Sequence, residues 1–173
     1  MEDDALVAGT LAGRQEDFAT LVERYQKMLY AFAYRQLGDA NGADDVVQTA
    51  FVHAYTRLAS FRGQASFKTW LHQIALNEIR SRCRATRRRG ETSLDEIPQA
   101  VLAASDGDVS RGAEQSQLQA LIARLPPRQR AVLHLRVFSD LPFKEIAAVE
   151  GISENSAKVS YHHAVQRLRE WMK

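Results

Sequence analysis

The sequence holds one cysteine, Cys83, so no intrachain disulfide can form and the fold must hold without covalent staples, as suits a reducing cytosol. No apolar stretch approaches the roughly 20 residues that a membrane helix needs, which excludes a helical membrane span. The opening Met1-Glu2-Asp3-Asp4 lacks the basic-then-apolar layout of a signal peptide. A cytoplasmic location without membrane insertion is expected. Strand-like alternation and internal repeats are also missing. So are a phosphate-cradling glycine loop and a His-Glu-x-x-His zinc motif. Cys83 lacks the neighbours that a zinc site needs, and His162 and His163 diverge on a helix rather than chelate together. His53, His72 and His134 show no grouping and read as ordinary surface or core residues. No catalytic residue, metal or cofactor is expected.

Net charge is also scant, +2 over 173 residues, so total charge does not by itself point to nucleic acid. Its distribution is informative. Between Phe67 and Arg89 lie Lys68, Arg80, Arg82, Arg84, Arg87, Arg88 and Arg89 against Glu78 alone. From Glu91 to Glu114 the sign reverses, with Asp95, Glu96, Asp106 and Asp108 between them and only Arg111 opposed. Charges segregated in this way serve local electrostatics, since solubility alone would intersperse them.

Hydrophobic residues make up 45% of the chain and recur at helical spacing, which predicts an all-α fold with a buried core. Phe18, Leu21, Val22, Tyr25, Met28, Leu29, Phe32 and Ala33 form one stripe, closed by Gly38 as a left-handed cap. Ala43, Val46, Val47, Ala50, Phe51, Ala54, Tyr55 and Leu58 form a second. After a turn over 61–65, Ser66 is placed to cap a third helix, which buries Phe67, Trp70, Leu71, Ile74, Ala75 and Ile79 and runs into the arginines. Residues 90–114, with Pro98, Gly107 and Gly112, read as an acidic flexible linker with a short helical turn near 97–104. Helical pattern resumes at Leu118, and Pro126-Pro127 starts a further helix. A short helix to Glu150, the turn Gly151-Ile152-Ser153 and a last helix from Glu154 towards Trp171 complete the chain. Two small helical domains, 1–89 and 115–173, are therefore expected on either side of the linker.

The strongest local motif is the C-terminal helix–turn–helix, a layout that presents its second helix to the major groove. Ala157, Tyr161, Ala164, Val165 and Leu168 fall on one side of that helix. Asn155, Ser156, Val159, His162, His163 and Gln166 fall on the other, with Lys158 at the edge. Hydrogen-bonding groups near a helix N-terminus suit base edges and phosphates, although a solvated helical hairpin has the same polar face. On the third helix, Arg80, Arg84 and Arg87 recur at helical spacing, where they could neutralise phosphates. The nearby Phe61, Phe67 and Trp70 suit unstacked bases, but Trp70 also lies on the apolar stripe, where a core role competes. Asp44 and Asp45, read as the first turn of the second helix, are adequately explained there by the helix dipole.

Ala43-Asp44-Asp45-Val46-Val47-Gln48-Thr49-Ala50-Phe51 resembles region 2.2 of the extracytoplasmic-function sigma factors, a family of RNA polymerase subunits. Phe61-Arg62-Gly63, Phe67-Lys68-Thr69-Trp70-Leu71 and Ile74-Ala75-Leu76-Asn77 resemble its regions 2.3 and 2.4. Leu125-Pro126-Pro127-Arg128-Gln129-Arg130, Lys144-Glu145-Ile146-Ala147 and Gly151-Ile152-Ser153 resemble region 4. The motifs occur in the family's order and cover nearly all of the chain outside the linker. The resemblance implies that Asp44, Asp45 and Gln48 bind the β′ coiled coil of core polymerase. It implies that Arg62, Phe67, Lys68, Trp70, Asn77, Arg80 and Arg84 open and read the minus-ten promoter element. Region 4 would sit on the β flap and read the minus-thirty-five element through Asn155, Ser156, Lys158, Val159, His162 and His163. An anti-sigma factor is an expected partner. The family's linker threads the polymerase channel taken by RNA, where an acidic segment suits either a polyanion mimic or a solvated tether.

The chain departs from the family pattern at Thr49, where a glutamate is usual, and at Ser160, His163 and Val165, where arginines are usual. Minus-thirty-five reading through few charged contacts is therefore expected. The main rival is a stand-alone helix–turn–helix regulator that binds DNA as a symmetric dimer. The basic aromatic helix in the other domain argues against it.

Overall fold

The computed structural model describes residues 2–90 and 109–173, and every regular element within them is helical. The first, α1 (Asp3–Leu11), is not foreseen from the sequence. Its buried Leu6 and Val7 are adjacent rather than three or four apart, so nine residues give no recognisable stripe. Asp3 ties it to α2 (Gln15–Leu37) by accepting hydrogen bonds from Arg24 and Tyr25. Burial, reinforced by Asp3, pushes the Tyr25 hydroxyl up to about 12. α2 ends as expected at Gly38, whose φ of 66° is a left-handed cap that a side chain would strain.

Asp39 then caps α3 (Ala40–Thr56), its carboxylate accepting the Asn41 and Gly42 N–H groups at 3.3 and 2.8 Å. A 3-10 turn at Leu58–Ser60 and a loop lead to α4 (Phe67–Arg89). Ser66 caps α4, accepting the Thr69 N–H at 3.1 Å. Arg87, Arg88 and Arg89 occupy its last turn, where the helix dipole favours positive charge.

The second half comprises α5 (Val109–Ala123), α6 (Pro127–Val137), α7 (Phe143–Glu150) and α8 (Glu154–Trp171). α5 opens inside the stretch read as linker. Gly112 had counted as a breaker, yet one glycine inside a helix costs only about 1 kcal/mol. The rest of that stretch, 91–108, including the helical turn expected near 97–104, lies outside the described residues. Pro127 begins α6 at a position that needs no N–H donor, as the sequence indicated.

The two helical domains are packed on one another. One continuous core runs from Leu21, Phe32, Ala50 and Leu71 through to Val132, Leu135, Ile146 and Ala157. Phe32, fully buried on α2, lies between His72 of α4 and His134 of α6, with ring centroids 5.1 Å away on each side. A smaller cluster of Ile122, Leu125, Leu133, Ala164 and Leu168 joins α5, α6 and α8. Replacing Phe32 removes packing for both halves at once. Phe32→Ala should lower stability by about 3–5 kcal/mol. Urea unfolding of the wild type, followed by tryptophan fluorescence (Trp70 in one half, Trp171 in the other) and by circular dichroism, should give one coincident transition. Two separated transitions would mean that the halves unfold independently.

Candidate nucleic-acid interface

Glycine geometry and a serine cap build the helix–turn–helix. Gly151 ends α7 with φ 68°, and the Ser153 hydroxyl accepts the Ser156 N–H at 3.1 Å to start α8. Ala157, Ala164 and Leu168 are buried, with Tyr161 and Val165 half-buried beside them. Asn155, Ser156, Lys158, Val159, His162 and His163 are all exposed. The Ser156 hydroxyl accepts from Ser153 at 2.8 Å, and Lys158 pairs with Glu154 at 3.0 Å. Both partners are local and exposed, so a stronger anion can displace them.

The residues expected at the minus-ten element, Arg62 in the loop before α4 and the others on α4, divide into three groups. Arg62, Asn77 and Arg84 are exposed. Trp70 is half-buried, its ring tilted against Phe61 and Phe67 at 5.1 and 5.9 Å. Phe67 is 1% exposed, so its expected place among the base-contacting residues needs correcting: the ring lies beneath Phe61, Trp70 and Tyr25 and supports the loop. The helical stripe had marked it as apolar, but could not tell the top of the stripe from the core beneath it.

Lys68 and Arg80 form the third group, and both are turned towards the second half of the molecule. The Lys68 ammonium donates to the Ser139 carbonyl, and Arg80 Nη2 lies 2.5 Å from Glu150 Oε2. Thr69 donates to Glu145. Further along this seam, Arg130 donates to the Gln36 carbonyl at 3.2 Å and Arg35 covers the Phe138 ring at 3.9 Å. Sequence reasoning missed Glu150. Its signal was position, a carboxylate one helical turn after the buried Ile146 and hence on the apolar stripe.

Asp44, Asp45 and Gln48 are exposed together on α3. The helix-dipole explanation for the two acids fails, because α3 begins at Ala40 with no acid in its first turn and Asp39 is the cap. Asp45 pairs with Arg82 of α4 at 2.6 Å, while Asp44 has no such partner among the described residues. Val52, 59% exposed, continues this face one turn beyond Gln48.

A helix–turn–helix joined to a basic, aromatic-flanked helix defines a DNA-reading protein of the transcription class. The chain belongs to the sigma-70 family: its residues 21–89 match Sigma-70 region 2, and residues 115–168 match Sigma-70, region 4. It is of the extracytoplasmic-function type. It is 32% identical over 159 residues to the ECF RNA polymerase sigma-E factor of Escherichia coli, covering 86% of this chain and 83% of that one. It is 29% identical over 172 residues to the ECF RNA polymerase sigma factor SigW of Bacillus subtilis, covering 93% and 91%. Among solved structures, CnrH in complex with the cytosolic domain of CnrY superposes with a TM-score of 0.73 at 26% identity, covering 98% of this chain and 96% of that one. The sigma factor RpoE with the anti-sigma factor NepR from Bartonella quintana gives 0.74 at 22% identity, covering 91% and 97%, and shares the fold. No helix among the described residues is long and apolar enough to cross a membrane.

Burial sets the protonation of the seam. It lowers His72 to about 4, against the pull of the Lys68 carbonyl and helped by the Lys68 charge. It lowers His134 to about 3, helped by Arg35 and by His72. Both rings fold neutral, so the unfolded chain, with histidines near 6.5, binds more protons at mildly acid pH. Their contribution is complete above about pH 6.5 and is lost as pH falls towards 4. The urea midpoint should therefore drop steeply between pH 6.5 and 4. His134→Phe, which keeps a ring beside Phe32, should flatten that slope; an unchanged slope would show that the ring is not held neutral.

Proposed function

We propose that this sigma factor docks on core RNA polymerase through the exposed face of α3 and reads promoter DNA with α4 and α8. Directing core polymerase to promoters and starting transcription is the activity of the family. The division of labour among residues is the proposal. Asp44, Asp45 and Gln48, extended by Val52, form the docking face for the β′ coiled coil. Arg62, Lys68, Trp70, Asn77, Arg80 and Arg84 serve the minus-ten strand, and region 4 uses α8 for the minus-thirty-five element with the β flap holding it in place. The proposed domains are 1–89 and 115–173, and the chain works in the cytoplasm. An anti-sigma factor is a proposed partner, since the sigma factor RpoE from Bartonella quintana, which shares the fold, is held in a complex with the anti-sigma factor NepR. The stand-alone regulator is set aside by family membership.

The observation that carries this reading is the two-sidedness of α8. Its apolar residues are buried in the domain, while Asn155, Ser156, Lys158, Val159, His162 and His163 all face outward. Charge is scarce on that face, so its binding should respond weakly to salt compared with a helix rich in arginine. His163→Arg is expected to tighten promoter binding by the reconstituted holoenzyme and to steepen its salt dependence.

The docking face is tested separately. Asp44→Lys should weaken core binding by about 2–5 kcal/mol if it loses a desolvated charge contact, with circular dichroism unaltered. Asn77→Ala and Arg84→Ala should leave core binding intact and impair promoter opening, followed by permanganate reactivity of unpaired thymines. Wild-type core affinity for Asp44→Lys would remove α3 from the interface. Wild-type opening by both α4 variants would remove α4 from the minus-ten element.

A further inference from the structure

Val159 is the exception on the outer face of α8. It is 44% exposed and lies two residues, or about 200° of helix, from the fully buried Ala157, on the side away from the domain. The other exposed residues between Glu154 and His163 are all polar or ionisable. The nearest of them are tied up along the helix or lie too far away to share its contact. Lys158 is drawn to Glu154 at 3.0 Å, and Ser156 is bonded to Ser153 at 2.8 Å. Asn155 lies four residues before Val159 and His162 three after, about 6 and 4.5 Å along the axis. Base pairs follow one another at about 3.4 Å, so those side chains fall over different pairs when α8 lies along the groove.

An exposed valine in the N-terminal half of a recognition helix has few partners to choose from. Nearly everything that the major groove displays is a hydrogen-bond donor or acceptor, and the thymine C5-methyl is its apolar group. Over guanine, cytosine or adenine, Val159 would take donors and acceptors out of water without replacing their hydrogen bonds. Over thymine it buries methyl against methyl. The contact is also well prepared. A β-branched side chain in a helix is held near one rotamer, so both methyl groups of Val159 are fixed before DNA arrives and lose little freedom on binding.

We propose that Val159 selects thymine, so that the minus-thirty-five element carries an A·T pair beneath this residue. The proposal rests on the assignment of α8 to that element and adds the base that this position prefers. The contact is uncharged, so it supplies sequence preference without counterion release, on a face where charge is scarce.

The test uses deoxyuridine, which pairs as thymidine does and lacks only the methyl group. Each thymine of the minus-thirty-five element, on either strand, is replaced singly in a duplex promoter from which the reconstituted holoenzyme transcribes. Affinity is then measured for wild type and for Val159→Ala. One replacement should weaken wild-type binding about fourfold, equivalent to about 0.8 kcal/mol for one buried methyl group. Val159→Ala should bind the thymine duplex about fourfold less tightly than wild type and lose nothing further with uracil. Its salt dependence should match wild type, which loss of a phosphate contact would not allow. Alanine favours an exposed helix, and circular dichroism confirms that the variant is folded. Absence of a uracil effect on wild type at every position overturns the proposal, as does a uracil penalty that persists in Val159→Ala. Scrambling the whole element separates the two levels. Unchanged wild-type affinity for the scrambled promoter would sink the α8 assignment together with the proposal. Weakened binding on scrambling, combined with no uracil effect, would sink the role of Val159 alone.

Discussion

The burial of Phe32 between His72 and His134 is the constraint on which the rest depends. A phenyl ring on α2 faces one imidazole from the first helical domain and one from the second, so neither half completes its core alone. Around that apolar centre the seam is polar. Lys68, Thr69, Arg80 and Arg130 reach across it to carbonyls and carboxylates. The apolar centre supplies cohesion and the polar margin supplies alignment. Among the described residues, Gln36 Nε2, His134 Nδ1 and Glu150 Oε1 at the seam have no hydrogen-bond partner.

Closure and promoter reading cannot coexist geometrically. A compact chain of 173 residues has a radius of gyration of about 16 Å and so a diameter near 40 Å. The minus-ten and minus-thirty-five elements lie roughly 25 base pairs apart, or about 85 Å of duplex. The backbone between Arg89 and Val109 is long enough to span at most about 70 Å when extended. For region 2 and region 4 to read both elements at once, as proposed, the seam has to open.

Much of this was legible in the sequence. The stripes of α2, α3, α4 and α8, the Gly38 and Ser66 caps and the proline start of α6 follow from local rules that tertiary contacts leave intact. α1 was not legible, because two adjacent apolar residues in a short acidic segment carry no periodicity. Phe67 was placed at a DNA face because an aromatic at the head of a basic helix suits bases, whereas the loop folds Phe61 and Trp70 over it. The seam was illegible for a deeper reason. Helical periodicity tells which face of a helix is buried, but not whether its cover comes from the same domain. His72 and His134 lie far apart in sequence, and only the fold shows that both press on one ring.

The most direct test is a distance. With Cys83 replaced by serine, dyes placed at exposed Ser81 of α4 and Glu170 of α8 report the separation of the two domains by energy transfer. In the free chain the separation should be short, within the roughly 40 Å diameter of a compact molecule. On binding core polymerase it should lengthen well beyond that limit as the seam opens. An equal separation in the free and polymerase-bound chain would contradict the account, because the seam would then be either never closed or never opened.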